Sequence, residues 1–266
     1  MPGINTIKFI NSLKQKKIRQ QHRLFIIEGE KMVDELMESN FDIQSVYATM
    51  QWITERGLAP GALSRSKTSE FPLYEIKEQE LGRISNLTTP NKALALVRIP
   101  SYTLDADRQG NSLTLLLDKV QDPGNLGTLI RSADWFGVDT IILSEDSAEA
   151  TNPKVVQSTM GSILRVRFHY LDLYSFLKSP EMKGIPVFGA FTGAPPVYSA
   201  GLPGHGVIIL GNESQGISTE IEKLVTHRIS IPSFHKDSSG PESLNIAVAG
   251  SIILSEFRRR GPDKNR

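Results

Sequence analysis

Two polar side chains lie at the start of a predicted helix in the segment DKVQDPGNLGTLIRSADWFG, residues 118–137. Apolar residues at helical spacing predict that this helix runs from 125 to 136, with Asn125 in its first turn and Arg131 off its apolar side. Ligands of α/β proteins bind where a helix begins at the carboxyl end of a parallel strand, so both side chains are candidates for ligand contact. The alternative interpretation is that Asn125 only caps the helix and that Arg131 is a surface charge.

A second segment, VIILGNESQGI at 207–217, joins a predicted buried strand to a loop that contains two glycines. Gly211 and Gly216 permit positive φ angles and a close approach of the backbone to a ligand, and Glu213 lies between them. A tight turn that binds nothing would have the same residues. The segment lacks the GxGxxG fingerprint, so a nicotinamide cofactor has no support.

A third segment, ISIPSFHKDSSGPESLNIAVAGSIILSEF at 229–257, ends in a long apolar helix. We expect this helix to begin at Ser243, a good N-cap residue, and to be buried against more than one surface. Asn245 then lies in its first turn, where a buried amide needs hydrogen-bond partners. Those partners are either the backbone of a neighbouring loop or a ligand.

The elements that must position these residues alternate between strand and helix from residue 113 onward. Helical spacing of apolar residues predicts helices at 125–136, 151–160, 172–178, 218–225 and 243–259. Apolar runs predict strands at 113–117, 140–143, 163–168, 185–191, 207–210 and 228–231. Near-continuous strands of Ile, Val and Leu separated by helices indicate an α/β fold with a parallel sheet covered on both faces.

The first 103 residues are predicted to form a separate, small α/β unit. Its predicted helices are at 5–20, 30–39 and 77–84, and its predicted strands are at 24–27, 43–48 and 93–99. The polar stretch that follows has no periodicity and contains glycine, which is typical of a linker. The predicted domains are therefore 1–103 and 113–266, joined by a linker at 104–112.

Composition excludes several classes of protein. The chain has no cysteine, which rules out disulfides, iron–sulfur clusters and cysteine nucleophiles, and its five histidines lack the spacing of a metal site. A hydrophobic fraction of 39% and a charged fraction of 22% are those of an ordinary globular protein. No apolar run is long enough for a membrane span, so we expect no membrane partner and a cytoplasmic location.

Positive charge is concentrated at the beginning of the chain. The first 23 residues contain six basic side chains and no acidic one. Such a stretch can neutralise phosphates of a nucleic acid, although a solvated helix face would have the same composition. The predicted RNA-binding residues are Lys14, Lys16, Lys17, Arg19 and Arg23.

Taken together and in order, NLGTLIRSADWFG, LGNESQGIS and ISIP…ESLNIAVAGSI resemble the three-motif signature of the SpoU (TrmH-like) family of RNA ribose 2'-O-methyltransferases. The resemblance covers about residues 113–260. The first 103 residues are similar, through LFIIEGEKMVDELMES and ISNLTTPNKALALVRI, to the ribosomal-protein-like RNA-binding domain of many members. One departure is the stretch 234–240, which is a few residues longer than in the family and affects the expected third loop and RNA target.

The resemblance implies a catalytic domain with a C-terminal trefoil knot, S-adenosylmethionine as cofactor and a homodimer that completes the active site. Its polar active-site residues correspond to Asn125, Arg131, Glu213, Ser243 and Asn245. The implied cofactor contacts are Gly211, Ile231 and Leu244, with Leu210, Gly216 and Thr192 nearby.

The implied reaction transfers a methyl group from S-adenosylmethionine to a ribose 2'-hydroxyl of RNA. We expect ribosomal RNA rather than transfer RNA, because this kind of N-terminal domain accompanies members that act on ribosomal RNA. We further hypothesise that Arg131 clamps a phosphate and that Glu213 positions Arg131 or takes the hydroxyl proton. The alternatives are a non-catalytic RNA-binding protein of the same fold and a methyltransferase acting on a ring nitrogen of a base.

Overall fold

The computed structural model describes residues 3–68, 70–89, 91–104, 111–235 and 242–260. The chain divides into two compact units. The first comprises Met1–Ser101 and Glu149–Leu164, and the second comprises Tyr102–Ala148 and Arg165–Arg266. The segment 149–164 therefore packs with the N-terminal residues, although the sequence pattern placed it with the rest of 113–266. Most of the predicted linker 104–112 lies outside the described residues.

The first unit contains a five-stranded mixed sheet in the order β1-β5-β2-β4-β3. Only the β2–β4 pair is parallel among these neighbours. Its strands are β1 (Leu24–Glu28), β2 (Ile43–Ala48), β3 (Leu63–Arg65), β4 (Glu70–Glu75) and β5 (Ala93–Arg98). Its helices are α1 (Ile4–Ser12), α2 (Lys16–His22), α3 (Glu30–Met37), α4 (Met50–Glu55), α5 (Glu78–Ile84) and α7 (Pro153–Thr159).

The prediction of a single helix at 5–20 is wrong. The helix is interrupted between α1 and α2, where the chain turns around a buried arginine. Nη1 of Arg19 donates to the carbonyl oxygens of Leu13 and Lys14, at 2.9 and 2.8 Å. Nη2 of Arg19 pairs with the carboxylate of Glu149, and Arg19 is only 1% exposed. Arg19 thus has a structural role, which corrects its prediction as an RNA-binding residue.

Replacing Arg19 by methionine is expected to lower the free energy of unfolding by about 3 kcal/mol, because the Glu149 carboxylate is left without its partner in a largely buried place. Urea denaturation followed by circular dichroism measures this loss. Lys16→Met on the exposed side of the same helix is the matched control, with an expected change within about 0.5 kcal/mol. Equal denaturation midpoints for the two variants would contradict a structural role for Arg19.

The second unit is built on a six-stranded sheet in the order β11-β9-β10-β6-β7-β8, and every pair of neighbours is parallel. The predicted α/β fold with a parallel sheet is confirmed. The strands are β6 (Leu113–Leu117), β7 (Thr140–Leu143), β8 (Arg167–Tyr170), β9 (Val187–Ala190), β10 (Gly206–Leu210) and β11 (His227–Ile229). The helices are α6 (Pro123–Trp135), α8 (Leu173–Lys178), α9 (Thr219–Glu222) and α10 (Ile246–Arg260). None of the helices described has the length and apolarity needed to cross a bilayer.

The strand predicted at 163–168 is misplaced. A short 3-10 helix occupies Ser162–Leu164, and the strand begins at Arg167. Met160 and Gly161 both have positive φ, at 50° and 95°, so the chain turns sharply before this helix. The apolar pattern of Ile163 and Leu164 reflects burial in a turn and not in a strand.

Helices α6 and α10 pack closely against each other and against the end of β10. A Cβ atom on Gly250 of α10 would lie 2.5 Å from Leu129 Cδ2 and 2.8 Å from Leu210 Cδ1, so a larger residue there would require these leucine side chains to shift. The hydroxyls of Ser132 and Ser251 share a hydrogen bond of 2.7 Å across the two helices. This packing brings the starts of α6 and α10 to the carboxyl end of β10.

Candidate active site

The carboxamide of Asn125 joins the three segments singled out in the sequence. Its Nδ2 donates to Oε1 of Glu213 at 3.0 Å, and its Oδ1 accepts from Nδ2 of Asn245 at 2.8 Å. Asn125 lies in α6, Glu213 lies in the loop after β10, and Asn245 directly precedes α10. We call Asn125, Glu213 and Asn245 the amide–carboxylate cluster.

Asn125 is free to make these bonds because another residue caps its helix. Asp122 is the N-cap of α6, its Oδ1 accepts from the backbone N–H of Asn125 at 2.7 Å, and Pro123 follows at the first helical position. The helix therefore starts earlier than the predicted residue 125. The interpretation of Asn125 as a capping residue is wrong.

Asn245, and not Ser243, caps α10. Its Oδ1 accepts from the backbone N–H groups of Ala247 and Val248, at 2.9 and 3.3 Å. Its own carbonyl accepts from Ala249 at 2.9 Å. An asparagine can accept from the helix with its oxygen and donate to Asn125 with its nitrogen, whereas a serine hydroxyl in its place would be too short for both. Ser243 is exposed and lies before the helix.

The loop after β10 closes tightly on itself because residue 211 is a glycine. A Cβ atom on Gly211 would lie less than 3.0 Å from backbone atoms of Gly216 and Ile217. Asn212 and Gly216 exchange two backbone hydrogen bonds of 2.9 Å, and Gly216 has a φ of 71°. This closure holds Glu213 at the tip of the loop, next to Asn125.

The residues predicted to contact a cofactor follow three neighbouring strands or precede α10. Thr192, Gly211 and Ile231 come within two residues of the ends of β9, β10 and β11, which lie side by side and parallel. The side chain of Leu210 is only 2% exposed, so that side chain belongs to the core, whereas Leu244 is 46% exposed. Backbone groups at the strand ends can hydrogen-bond the adenosine part of S-adenosylmethionine, and an exposed apolar side chain can contact its flat face.

Arg131 lies on the exposed side of α6, apart from the amide–carboxylate cluster. Within the described residues, the carboxylate of Glu213 bonds to Asn125 and, at 3.5 Å, to Asn212. The structure thus gives Glu213 a role in holding the cluster, and it does not place Glu213 as the partner that positions Arg131.

The sequence analysis did not single out Asp118 and Ser218, which bond to each other. Asp118 follows β6 directly and is only 2% exposed, and its Oδ2 accepts from both the N–H and the hydroxyl of Ser218 at 2.7 Å. A carboxylate placed directly after five buried strand residues is unusual, because buried charge needs partners. That position could have identified Asp118 from the sequence.

The residues predicted to bind RNA are exposed, except for Arg19. Lys16 and Lys17 lie at the start of α2, and Nζ of Lys14 donates to the carbonyl of Ser85 at 3.3 Å. Arg23 ends α2 with a φ of 55°, and its Nη2 donates to the carbonyl of Ile99 at 3.3 Å. Four of the five predicted cations are therefore accessible.

A parallel sheet with a glycine-closed loop and a polar cluster at its carboxyl edge defines an α/β domain with a ligand site at that edge. Comparison with protein families is more specific. The SpoU rRNA Methylase family matches residues 112–255, more than half of the chain, and the chain belongs to this family. The MRM3-like substrate binding domain matches residues 5–95.

Similar proteins extend over nearly the full chain. The 23S rRNA (guanosine(2553)-2'-O)-methyltransferase RlmP of Bacillus subtilis is 28% identical, covering 95% of each chain. The structure of a protein placed in the TrmH family of RNA methyltransferases, from Porphyromonas gingivalis, has 35% identity and a TM-score of 0.83, covering 98% of this chain and 99% of the other. The AdoMet-bound rRNA methyltransferase of Sinorhizobium meliloti has 25% identity and a TM-score of 0.80, covering 97% of each chain.

Proposed function

We propose that this protein transfers a methyl group from S-adenosylmethionine to a ribose 2'-hydroxyl of RNA, and that ribosomal RNA is its substrate. The observation that carries this proposal is the amide–carboxylate cluster, in which the three family segments meet at the carboxyl edge of the parallel sheet. RlmP of Bacillus subtilis, similar over 95% of the chain, is named for methylation of a 23S rRNA guanosine at the 2'-oxygen.

The cofactor would lie along the ends of β9, β10 and β11. When bound, S-adenosylmethionine supplies a methyl group activated by a positively charged sulfur. Gly211, Thr192 and Ile231 would bind it through their backbone, and the open side chain of Leu244 would cover an apolar face. The closed loop at Gly211 would form one side of this edge.

Two charged residues would act on the ribose. A guanidinium does not lose its proton in a protein, so Arg131 would act as a cation that binds the neighbouring phosphate and stabilises negative charge on the 2'-oxygen. Glu213 would accept the hydroxyl proton with a lone pair that its bonds to Asn125 and Asn212 leave open. Asn125 and Asn245 would hold that carboxylate in place.

Alkaline hydrolysis of the product tests the proposal against base methylation. RNA cleavage by alkali needs a free 2'-hydroxyl, so a methylated ribose leaves its label in alkali-stable dinucleotides. We expect label from S-adenosylmethionine in that fraction with ribosomal RNA, and far less with transfer RNA. Label confined to mononucleotides would show a methylated base and contradict the proposal.

The exposed cations Lys14, between α1 and α2, and Lys16 and Lys17, at the start of α2, would bind RNA phosphates. Replacing Lys14, Lys16 and Lys17 together by glutamine is expected to weaken RNA binding and to lower the salt slope of log K by roughly 2, at about 0.7 to 0.9 for each phosphate contact. The slope is measured by binding titrations between about 50 and 200 mM salt, the range over which phosphate contacts change affinity strongly. The triple variant of Lys31, Lys67 and Lys77, exposed elsewhere on the same unit, is the matched control. Equal slopes for both variants would make the basic segment a solvated face.

We also propose that the protein forms a homodimer and that its C-terminal part is knotted. Exposed apolar side chains support the dimer. Trp135 at the end of α6 is 83% exposed, Leu244 before α10 is 46% exposed, and Val248 in α10 is 48% exposed. The resemblance of residues 113–260 to the SpoU family implies both features, and it is the reason for proposing the knot.

Replacing Trp135 by glutamate is expected to convert the dimer into a monomer, because a charge would be buried in the apolar contact. Light scattering coupled to size-exclusion chromatography measures the mass. Leu63→Glu, at a side chain 68% exposed in the first unit, is the control and is expected to remain dimeric. A Trp135→Glu variant with the mass of the unchanged protein would place the interface elsewhere.

A further inference from the structure

We propose that Asp118 is a positioning residue, which fixes the loop that carries Glu213 and thereby sets the rate of methyl transfer. This inference rests on the proposed function, because it concerns the residue that would take the hydroxyl proton. Asp118 would act through Ser218, at the end of the loop at 211–218 that carries Glu213, without touching the RNA or the cofactor.

The far end of the loop is held by a buried charge. Oδ2 of Asp118 accepts two hydrogen bonds of 2.7 Å from Ser218, one from its N–H and one from its hydroxyl. Asp118 is 2% exposed, and within the described residues its carboxylate accepts from these two donors while its own N–H donates to the carbonyl of Leu210. Bonds to a carboxylate are about twice as strong as bonds between neutral groups, so Ser218 is held firmly.

The near end of the same loop is held by the next residue, Lys119. Its carbonyl accepts from Nδ2 of Asn212 at 2.9 Å, while its N–H donates to the hydroxyl of Ser144 at 2.8 Å. Lys119 has a φ of 59°, a conformation that costs about 1 kcal/mol for a residue other than glycine. That conformation turns the carbonyl toward the loop, so two consecutive residues after β6 hold both ends of it.

Between these two anchors, hydrogen bonds within the loop and to Asn125 hold Glu213 in position. Oδ1 of Asn212 accepts from the N–H groups of Ser214 and Gln215, at 3.0 and 3.1 Å, which fixes the turn that carries Glu213. The loop then places Oε1 of Glu213 at 3.0 Å from Asn125. A displacement of about 1 Å of a catalytic group can lower a rate about a hundredfold, so the anchor is expected to affect the rate directly.

The anchor can be weakened from the side of Ser218, which keeps the buried charge, or at Asp118 itself. Ser218→Ala deletes the hydroxyl donor and leaves the backbone bond to Asp118, and Ser218→Thr restores a hydroxyl. Asp118→Asn keeps the shape but replaces an acceptor by a donor. Asp172→Asn is the matched control, since this exposed carboxylate accepts from the N–H of Ser175 in the same unit, at the start of α8.

We expect Asp118→Asn to lower kcat for methyl transfer by roughly 30-fold and Ser218→Ala by roughly 10-fold, with KM for RNA within about threefold of the unchanged protein. Ser218→Thr is expected to recover most of the rate, and Asp172→Asn to leave it unchanged. The double variant Asp118→Asn/Ser218→Ala is expected to be no slower than Asp118→Asn alone, because both changes break the same contact.

A purely structural role predicts a different result. The variants would then lose thermal stability while kcat per folded molecule stayed at the value of the unchanged protein, and that outcome would overturn the proposal. Additive losses in the double variant would overturn it as well. Failure of the proposed function itself is distinguishable, since the unchanged protein would then transfer no methyl group to a ribose.

Discussion

Methyl transfer is expected to fall by at least about a hundredfold when Arg131 is replaced by alanine, the range found when a preorganised donor to a developing anion is removed. The side chain is exposed on α6 and takes no part in the amide–carboxylate cluster, so the fold should not depend on it. Binding of S-adenosylmethionine is expected to change little, because the candidate cofactor residues lie at the strand ends. Initial rates and calorimetry separate the two effects.

Lysine at position 131 tests how the cation acts. A guanidinium binds phosphate through two parallel N–H groups, whereas an ammonium is a point charge, so Arg131→Lys is expected to remain at least about tenfold slower than the unchanged protein. Arg259→Ala removes another exposed arginine from the second unit and is expected to be fully active. Near-complete activity of Arg131→Lys would contradict the two-pronged phosphate contact.

The second large effect is expected for Gly211→Ala. The added methyl group would lie less than 3.0 Å from the backbone of Gly216 and Ile217, so the loop after β10 must open. Opening moves both the cofactor edge and Glu213. We therefore expect binding of S-adenosylmethionine to weaken by more than about tenfold and methyl transfer by more than about a hundredfold.

Gly201→Ala is the matched control for this change. Gly201 belongs to the same unit and has open space where a Cβ atom would be added. Its variant is expected to bind cofactor and to transfer methyl groups like the unchanged protein. Unchanged cofactor binding in Gly211→Ala would show that the closed loop is not part of the cofactor site.

The strands predicted with the correct bounds are those in which most residues are apolar and buried. β2 and β6 have the predicted bounds, because a buried strand of a sheet needs apolar residues on both faces. α4, β3 and β4 were missed, since each is only three to six residues long and half of its residues are polar or exposed. The segment 163–168 misled for another reason, because the chain turns at Met160 and Gly161, both with positive φ, and Ser162–Leu164 form a 3-10 helix.

The candidate residues that form the amide–carboxylate cluster could be named from the sequence, but their contacts could not. Asn125, Glu213 and Asn245 were all identified, yet the bonds among them span 88 and 120 residues and follow only from the topology. The same holds for Arg19, whose burial depends on Glu149, 130 residues further along the chain. Part of the long loop, 236–240, lies outside the described residues, so its effect on the RNA target stays a prediction. The cytoplasmic location also stays a prediction.

The measurement that tests the central claim most directly is transfer of labelled methyl from S-adenosylmethionine to unmodified ribosomal RNA, followed by nuclease digestion and identification of the labelled nucleoside. The predicted result is a 2'-O-methylnucleoside that is formed by the unchanged protein and disappears with Arg131→Ala. A label on a base would contradict the claim, and so would the absence of both transfer and S-adenosylmethionine binding.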